Sequence, residues 1–415
     1  MKNINIASCF SGGFGTLNLA LKYEKIEHKD IFAVEWMKTQ RESYKLNYGL
    51  PTNGFFKDIC DFDGKKFKGK IDLLHLSPPC TSFSLAGKQK GLDSETGDLM
   101  FETIRVIDEV QPKIFIIENV ANMRTINSGD DFREIMRAIH QLEYSTHHST
   151  MNAKEYGAIQ NRDRIFIIGF RADDVSFQFP KKIERKYKLA DFLEDDVDEK
   201  YYLNSKMIEY FQTRKQKGFK FEPMKKTAEY SKSLIARYAK MGATDPYIKE
   251  DLKQVGNIDT KGHNSLWGRV YDPDAIASNQ NANGGGCGAK TGLYEVESKV
   301  QWFVYPHGVN KGGWRDVLVV PSVTTSSWNH NNFINSKSRI RRLSPRECAR
   351  VMGDFEDLFK FGDFSDTKLY EFIGNAIEIN VYRELLRVVL KKLDIINFRD
   401  TREPSFRKIE QTTLF

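Results

Sequence analysis

The sequence predicts an α/β protein: a doubly wound, parallel sheet with a second, smaller domain after it. Three observations lead there. Short apolar segments alternate with amphipathic stretches from Ile4 to Gly169. The first of them runs into a glycine-rich turn at Gly12, Gly13 and Gly15. The alternation then stops near Arg171, where polar, glycine and asparagine positions become frequent. A chain of 415 residues has room for two or three domains, on a prior of ~150 residues each.

Residues 4 to 21 read as strand, glycine turn and amphipathic helix. Glycines let backbone approach a ligand closely, and the helix that follows offers free N–H groups, so this is a candidate nucleotide cradle. The second strand, Ile31 to Val34, ends in Glu35-Trp36, the spacing at which nucleotide-binding sheets set an acid against ribose hydroxyls. Trp36 could cover a flat base. A third unit, Phe56-Lys57-Asp58-Ile59, brings another acid to a strand end. Each acid alone suits a solvated surface; three such features in register after one glycine loop point to a nucleoside cofactor.

The fourth strand, within Ile71 to Leu76, leads into Ser77-Pro78-Pro79-Cys80. Prolines fix φ and push their neighbours out of helix, so Cys80 is expected just beyond the strand's carboxyl end, where open α/β sheets keep their chemistry. Taken alone, a cysteine is more often a small buried hydrophobe. A polar, glycine-hinged loop follows, then a helix from Leu99 to about Val110 and an apolar strand, Ile114 to Ile117, ending in Glu118-Asn119-Val120. Parallel strands end on one side, which brings Glu118 to the edge that holds Cys80. A helix with Phe132, Ile135, Met136 and Ile139 on one face comes next, and then Arg162 and Arg164 ahead of an apolar strand closing at Gly169. Two arginines spaced by two on extended backbone should point the same way.

In the second domain, Ser205 to Met241 interleaves many lysines and arginines with aromatic residues and only three acids. The mix suits a phosphate backbone, a solvated helical face being the competing reading. Loops at 278–286 and 324–332 are dense in amides and hydroxyls that can read base edges, or are simply flexible surface. Ser344, Pro345 and Glu347 are expected to cap a helix. Gly374-Asn375-Ala376-Ile377 is expected to open a final amphipathic helix carrying Val381, Leu385, Val388 and Val389.

A net charge of +7 permits an anionic partner. Five scattered cysteines without a C-x-x-C pair argue against a disulfide framework and a thiolate zinc site, so no metal is expected. With no apolar run long enough to span a membrane and no apolar signal-peptide region at the start, a cytoplasmic protein without a membrane partner is expected.

In this order the segments Phe10-Ser11-Gly12-Gly13-Phe14-Gly15, Pro79-Cys80, Glu118-Asn119-Val120, Gln160-Asn161-Arg162-Asp163-Arg164, Arg342-Leu343-Ser344-Pro345-Arg346-Glu347-Cys348 and Gly374-Asn375-Ala376 resemble the DNA (cytosine-5) methyltransferase family, of the bacterial or phage restriction-modification type. The resemblance implies a Rossmann-like methyltransferase sheet with a DNA target-recognition domain. It implies S-adenosylmethionine as cofactor, with Phe10, Gly12 and Gly15 at its methionine and adenosine parts, Glu35 on ribose, Trp36 against adenine, Asp58 at the adenine amino group, and Ile59 also in the cofactor site. Pro79, Leu99, Asn375 and Ala376 would complete the pocket. The last helix would fold back, giving a catalytic domain of residues 1–172 plus about 371–400, a recognition domain of 173–370 and a loosely held tail of 401–415.

The same resemblance implies Cys80 as nucleophile, Glu118 sharing a proton with the cytosine ring nitrogen, Arg164 on the base carbonyl and Arg162 as a brace. The partner would be double-stranded DNA, met by a monomer, with a cognate restriction endonuclease acting on the same site. The loop 81–98 would close over a flipped-out base. Departures from the family pattern are Ser8 and Thr16 in the first strand and turn, Lys57 before Asp58, and Thr81 after the cysteine. An RNA cytosine methyltransferase and a catalytically silent DNA-binding relative are the alternatives.

Overall fold

The computed structural model describes residues 3–79, 95–195, 197–203, 207–208, 210–211, 221–242, 245–249, 254–257, 269–271, 293–294, 300–304, 313–317, 331–334 and 340–405. Its first unit is built on β1 (Ile4–Cys9), α1 (Thr16–Tyr23), β2 (His28–Val34), α2 (Lys38–Tyr48), β3 (Phe55–Phe56), β4 (Leu73–Leu76), α3 (Glu95–Val110), β5 (Ile114–Val120), α4 (Asp130–His140), β6 (Ser145–Asn152) and β7 (Asp163–Phe170). The seven strands lie in the order β3-β2-β1-β4-β5-β7-β6.

The first five of these pair in parallel. The sequence reading took the whole sheet as parallel; instead β7 runs antiparallel to both β5 and β6. The reason is the connection. Parallel neighbours need a crossover of a dozen or more residues, whereas β6 and β7 are joined by the short stretch 153–162 and form a hairpin. All four residues of β4 are buried, as expected of a strand covered on both faces. Phe32 on β2 packs against Phe67 and Phe62 with ring centroids 4.5 and 4.9 Å apart. Ile104 and Ile107 of α3 and Ile135 and Ile139 of α4 belong to the same core. Asp130 and Asp131 open α4, and Arg137 and His140 lie in its last turn, the charge order that favours a helix dipole.

The second unit holds β8 (Met224–Lys225), β9 (Tyr247–Lys249), β10 (Gln254–Asn257), β11 (Arg269–Tyr271), β12 (Leu293–Tyr294), β13 (Val300–Val304), β14 (Gly313–Val317), β15 (Asn331–Ile334) and β16 (Ile340–Arg342). They form three-stranded sheets ordered β10-β11-β12, β14-β13-β15 and β16-β9-β8. The loop at 278–286 and residues 324–330 of the later loop lie outside the described residues, as does the segment 80–94 with Cys80 and Thr81.

The chain then returns to the first unit as α5 (Pro345–Val351), α6 (Asp366–Asn375) and α7 (Ile379–Leu390). Gly374 and Asn375 therefore close a helix, α6, and do not open the last one; α7 begins after Glu378, whose side chain accepts from Val381 N. Arg383 and Arg387 of α7 both pair with Glu24 after α1, at 2.6 and 2.7 Å.

The division falls at other residues than the composition shift suggests. The first unit comprises Met1–Leu193, Glu229–Asp245 and Pro345–Phe415; the second comprises Glu194–Ala228 and Pro246–Ser344. Regular alternation ends at Arg171, but irregular backbone continues to pack on the first unit: the Phe177 ring lies 5.3 Å from that of Phe170, tilted by 49°, and Phe192 lies 4.8 Å from Phe355. The stretch 229–245 is held along 159–162, Ser231 N donating to Ile159 O at 2.7 Å. The first residues of the tail are also anchored. Arg402 pairs with the buried Asp108 at 2.9 Å, and Ser405 N donates to the same carboxylate at 2.6 Å.

Candidate active site

At the carboxyl ends of β1 to β5 lies a cavity of about 640 Å3, within the ~300–1,000 Å3 usual for small-ligand sites. Its β1–β3 side is lined by Phe10, Gly12, Gly15, Glu35, Trp36, Asp58 and Ile59. The chain leaves β1 at Phe10 with a positive φ of 57°, and Phe10 N donates to Val34 O at 2.8 Å. Glu35 then holds the turn: its two oxygens accept from Gly12 N at 3.0 Å and from Met37 N at 2.9 Å. Burial pushes the Glu35 carboxyl above the usual range, against the pull of those two N–H groups and of Arg41. Gln40 accepts from Gly13 N. Gly15 sits at φ 58° with the Tyr48 ring where a Cβ would go, so glycine is required there for both backbone and space. Trp36 is 59% exposed, and the Lys57 ammonium stands 4.5 Å from its ring centroid. Arg105 fixes the next turn by donating to Ile59 O at 2.6 Å and Phe62 O at 3.0 Å.

The opposite side is made from strand ends that the antiparallel β7 brings together. Val120 pairs with Arg164 and Glu118 with Phe166, so a residue near the start of β7 stands beside the end of β5. Arg164 Nε meets Glu118 Oε1 at 2.8 Å, and Ser77 Oγ donates to Glu118 Oε2 at 2.7 Å. Glu118 is 5% exposed. A carboxylate so buried is tolerable only when paired and hydrogen-bonded, which Arg164 and Ser77 provide. Asn119 donates to Pro78 O at 3.3 Å and so ties the proline turn, which ends immediately before Cys80, to the end of β5. His75 on β4 also lines the cavity. Its Nδ1 lies 2.8 Å from the Tyr382 hydroxyl of α7, and burial lowers its pKa to about 3.

Pro79, Leu99, Asn375 and Ala376 complete the lining. Of the sequence-predicted site residues that are described, all but Arg162 line this one cavity; Cys80 lies outside the described residues. Arg162 is not among the lining residues; it lies just ahead of β7, and its guanidinium donates to Leu234 O at 2.7 Å, Ala376 O at 2.8 Å and Gly374 O at 3.1 Å. The two arginines go to different partners because only Arg164 is in the strand.

A model for C-5 cytosine-specific DNA methylases matches residues 4–391. The chain belongs to that family. Among its relatives, the Type II methyltransferase M.HhaI of Haemophilus parahaemolyticus is 28% identical over 371 residues, covering 89% of each chain. The Type II methyltransferase M1.ScrFI of Lactococcus lactis subsp. cremoris is 36% identical over 244 residues, covering 56% of this chain and 61% of that relative's length. In fold, the chain resembles the methyltransferase EhMeth of Entamoeba histolytica, with a TM-score of 0.63 at 14% identity over 95% of this chain and 99% of that one. The S. pombe Dnmt2 methyltransferase gives 0.59 at 14% identity over 95% and 100%.

Against this family background, sequence reasoning missed Ser77, His75, Asn119 and Gln40. Ser77 and Asn119 adjoin residues it had singled out, and their polar side chains next to Pro78 and Glu118 were the available signal. Gln40 and His75 act through partners distant in the chain and left no local pattern.

Proposed function

We propose that the chain transfers a methyl group from S-adenosylmethionine to carbon 5 of a flipped-out cytosine in a specific double-stranded DNA sequence, as the modification enzyme of a restriction-modification system. The observation that carries this reading is the Glu118–Arg164 ion pair, reinforced by Ser77, on the wall of the same cavity that the Glu35-anchored glycine turn lines.

The residues present fit the cofactor. Each Glu35 oxygen accepts one N–H and retains a lone pair for a ribose hydroxyl. The exposed Trp36 ring offers a flat apolar face, and Asp58, Leu99, Pro79 and Asn375 surround the same space. When bound, S-adenosylmethionine supplies an electrophilic methyl group. Carbon 5 of cytosine is a poor nucleophile, and addition of the Cys80 thiolate to carbon 6 moves the ring's electron pair toward carbon 5, making it an enamine-like nucleophile. Charge developing on the ring is met by Arg164 at the base carbonyl and by Glu118 sharing a proton at ring nitrogen 3. Loss of the carbon 5 proton to a base then returns its electrons to the ring and expels the Cys80 thiolate. Ser77 and Asn119 orient the acid and the proline turn. The base must leave the duplex to reach this cavity, at a cost of a few kcal/mol.

The test uses duplex DNA and RNA of mixed sequence in parallel. Wild type should methylate DNA and become covalently trapped on DNA containing 5-fluorocytosine, while Cys80→Ser should bind DNA without methyl transfer. Normal transfer by Cys80→Ser would overturn the covalent route, and methylation of RNA alone would move the substrate. Bisulfite sequencing of a modified plasmid reads the target sequence.

A further inference from the structure

The turn 374–378, between α6 and α7, carries Asn375 and Ala376 to the cavity. Three side chains from distant parts of the first unit hold it. Arg162, 5% exposed, donates to Gly374 O and Ala376 O. Thr16, at the start of α1, accepts from Ile377 N at 3.3 Å and reaches Ile377 O at 3.5 Å. Glu378, 1% exposed, accepts from Val381 N and from Asn380 Nδ2, each at 2.9 Å, and caps α7. Burial raises the Glu378 carboxyl to about 8, with Val381 N, Asn380 and the charge of Arg162 pulling the other way. Gly374 has Ile235 and Ala236 backbone against it, leaving no room for a Cβ, so the turn cannot shift toward that side. Asn375 is exposed on the cavity side while Gly374 and Ala376 on either side of it are buried.

We propose that Thr16, Arg162 and Glu378 are positioning residues that clasp the 374–378 turn as a wall of the cofactor cavity, so that loosening the clasp weakens cofactor binding before it affects the chemistry. The proposal rests on the cofactor reading above. A glycine at position 16 could not make Thr16's two contacts; Glu378 places a carboxylate where an apolar side chain would leave α7 uncapped.

Binding of S-adenosylhomocysteine, measured by calorimetry on the full chain without DNA, needs no turnover. Glu378→Ala should weaken it ~10-fold, and Thr16→Val, which keeps the shape but loses the hydroxyl, ~3-fold. Glu378→Gln, which retains an acceptor for Val381 N, should recover most of the loss. In turnover, KM for the methyl donor should rise more than kcat falls. If Glu378→Ala does not fold, Thr16→Val carries the test. Wild-type binding by both variants, or a loss confined to kcat, overturns the clasp. Failure of wild type itself to bind S-adenosylhomocysteine overturns the cofactor reading, and the clasp with it.

Discussion

On the β1–β3 side of the cavity, side chains hold backbone: Glu35 grips Gly12 and Met37, Gln40 grips Gly13, and Tyr48 donates to Phe14 O at 2.6 Å. On the β4–β7 side, side chains hold one another, Ser77 and Arg164 converging on Glu118. The first arrangement shapes a pocket from a local turn and its anchors. The second aims charged groups at a point in space and depends on which strands are neighbours. A site divided in this way should show separable losses: affinity for the cofactor on one side, rate on the other.

The largest expected effect breaks the second half. Arg164→Ala should lower kcat by ~10²–10³, because it removes the proposed donor for the base carbonyl and leaves Glu118 buried without its ion-pair partner. Its affinity for S-adenosylhomocysteine should stay near wild type, and a matching loss of affinity would show that the halves are one unit. Glu35→Ala is the counterpart. It leaves two backbone N–H groups without an acceptor and should weaken S-adenosylhomocysteine ~10–100-fold, with kcat at saturating cofactor changed far less. If kcat collapses as in Arg164→Ala, the division fails.

The smallest effect sharpens the comparison through pH. His75 lies on the β4–β7 side, and its pKa is lowered from 6.5 to about 3 in the fold. The unfolded chain therefore binds more protons in that window, and stability is lost as pH falls through it. Glu378 belongs to the 374–378 turn, and its pKa is raised from 4.5 to about 8. Its contribution is fully present below 4.5 and is lost as pH rises through about 8. Melting temperatures across pH should thus flatten on the acid side in His75→Gln and on the alkaline side in Glu378→Gln. An unchanged profile in either variant would remove that group from the linkage.

Much of the site was legible because the pattern that encodes it is contiguous. The glycine turn, Glu35-Trp36 and Asp58 each follow directly from a strand end, and strand ends in a parallel sheet share an edge. Arg164 was legible as a charged residue beside an apolar strand, but not why it reaches Glu118. The expectation that Arg162 and Arg164 point the same way met its limit at the strand boundary: β7 begins at Asp163, so Arg164 lies in the strand and Arg162 just ahead of it. The turn at Gly374 was read as a helix start, since glycine and asparagine beside an apolar periodicity fit either end of a helix. Basic, aromatic-rich sequence at 229–241 looked like part of the second domain, yet that stretch pairs with 159–162, a contact with no signature in composition.

What the sequence by itself determined is the set of chemical groups and the order of the strands that bear them: the glycine cradle, the acids, the proline-fixed Cys80 and the paired arginines. These follow from short-range rules of backbone freedom and hydrophobic period. The tertiary structure alone decided their assembly. The reversal of β7 sets Arg164 against Glu118, and the return of α6 and α7 brings Asn375 to the cavity and Tyr382 to His75. Both depend on pairings between residues tens to hundreds of positions apart, where the gain comes from burying apolar surface and satisfying polar groups across the whole unit, and no local pattern records which partner is met.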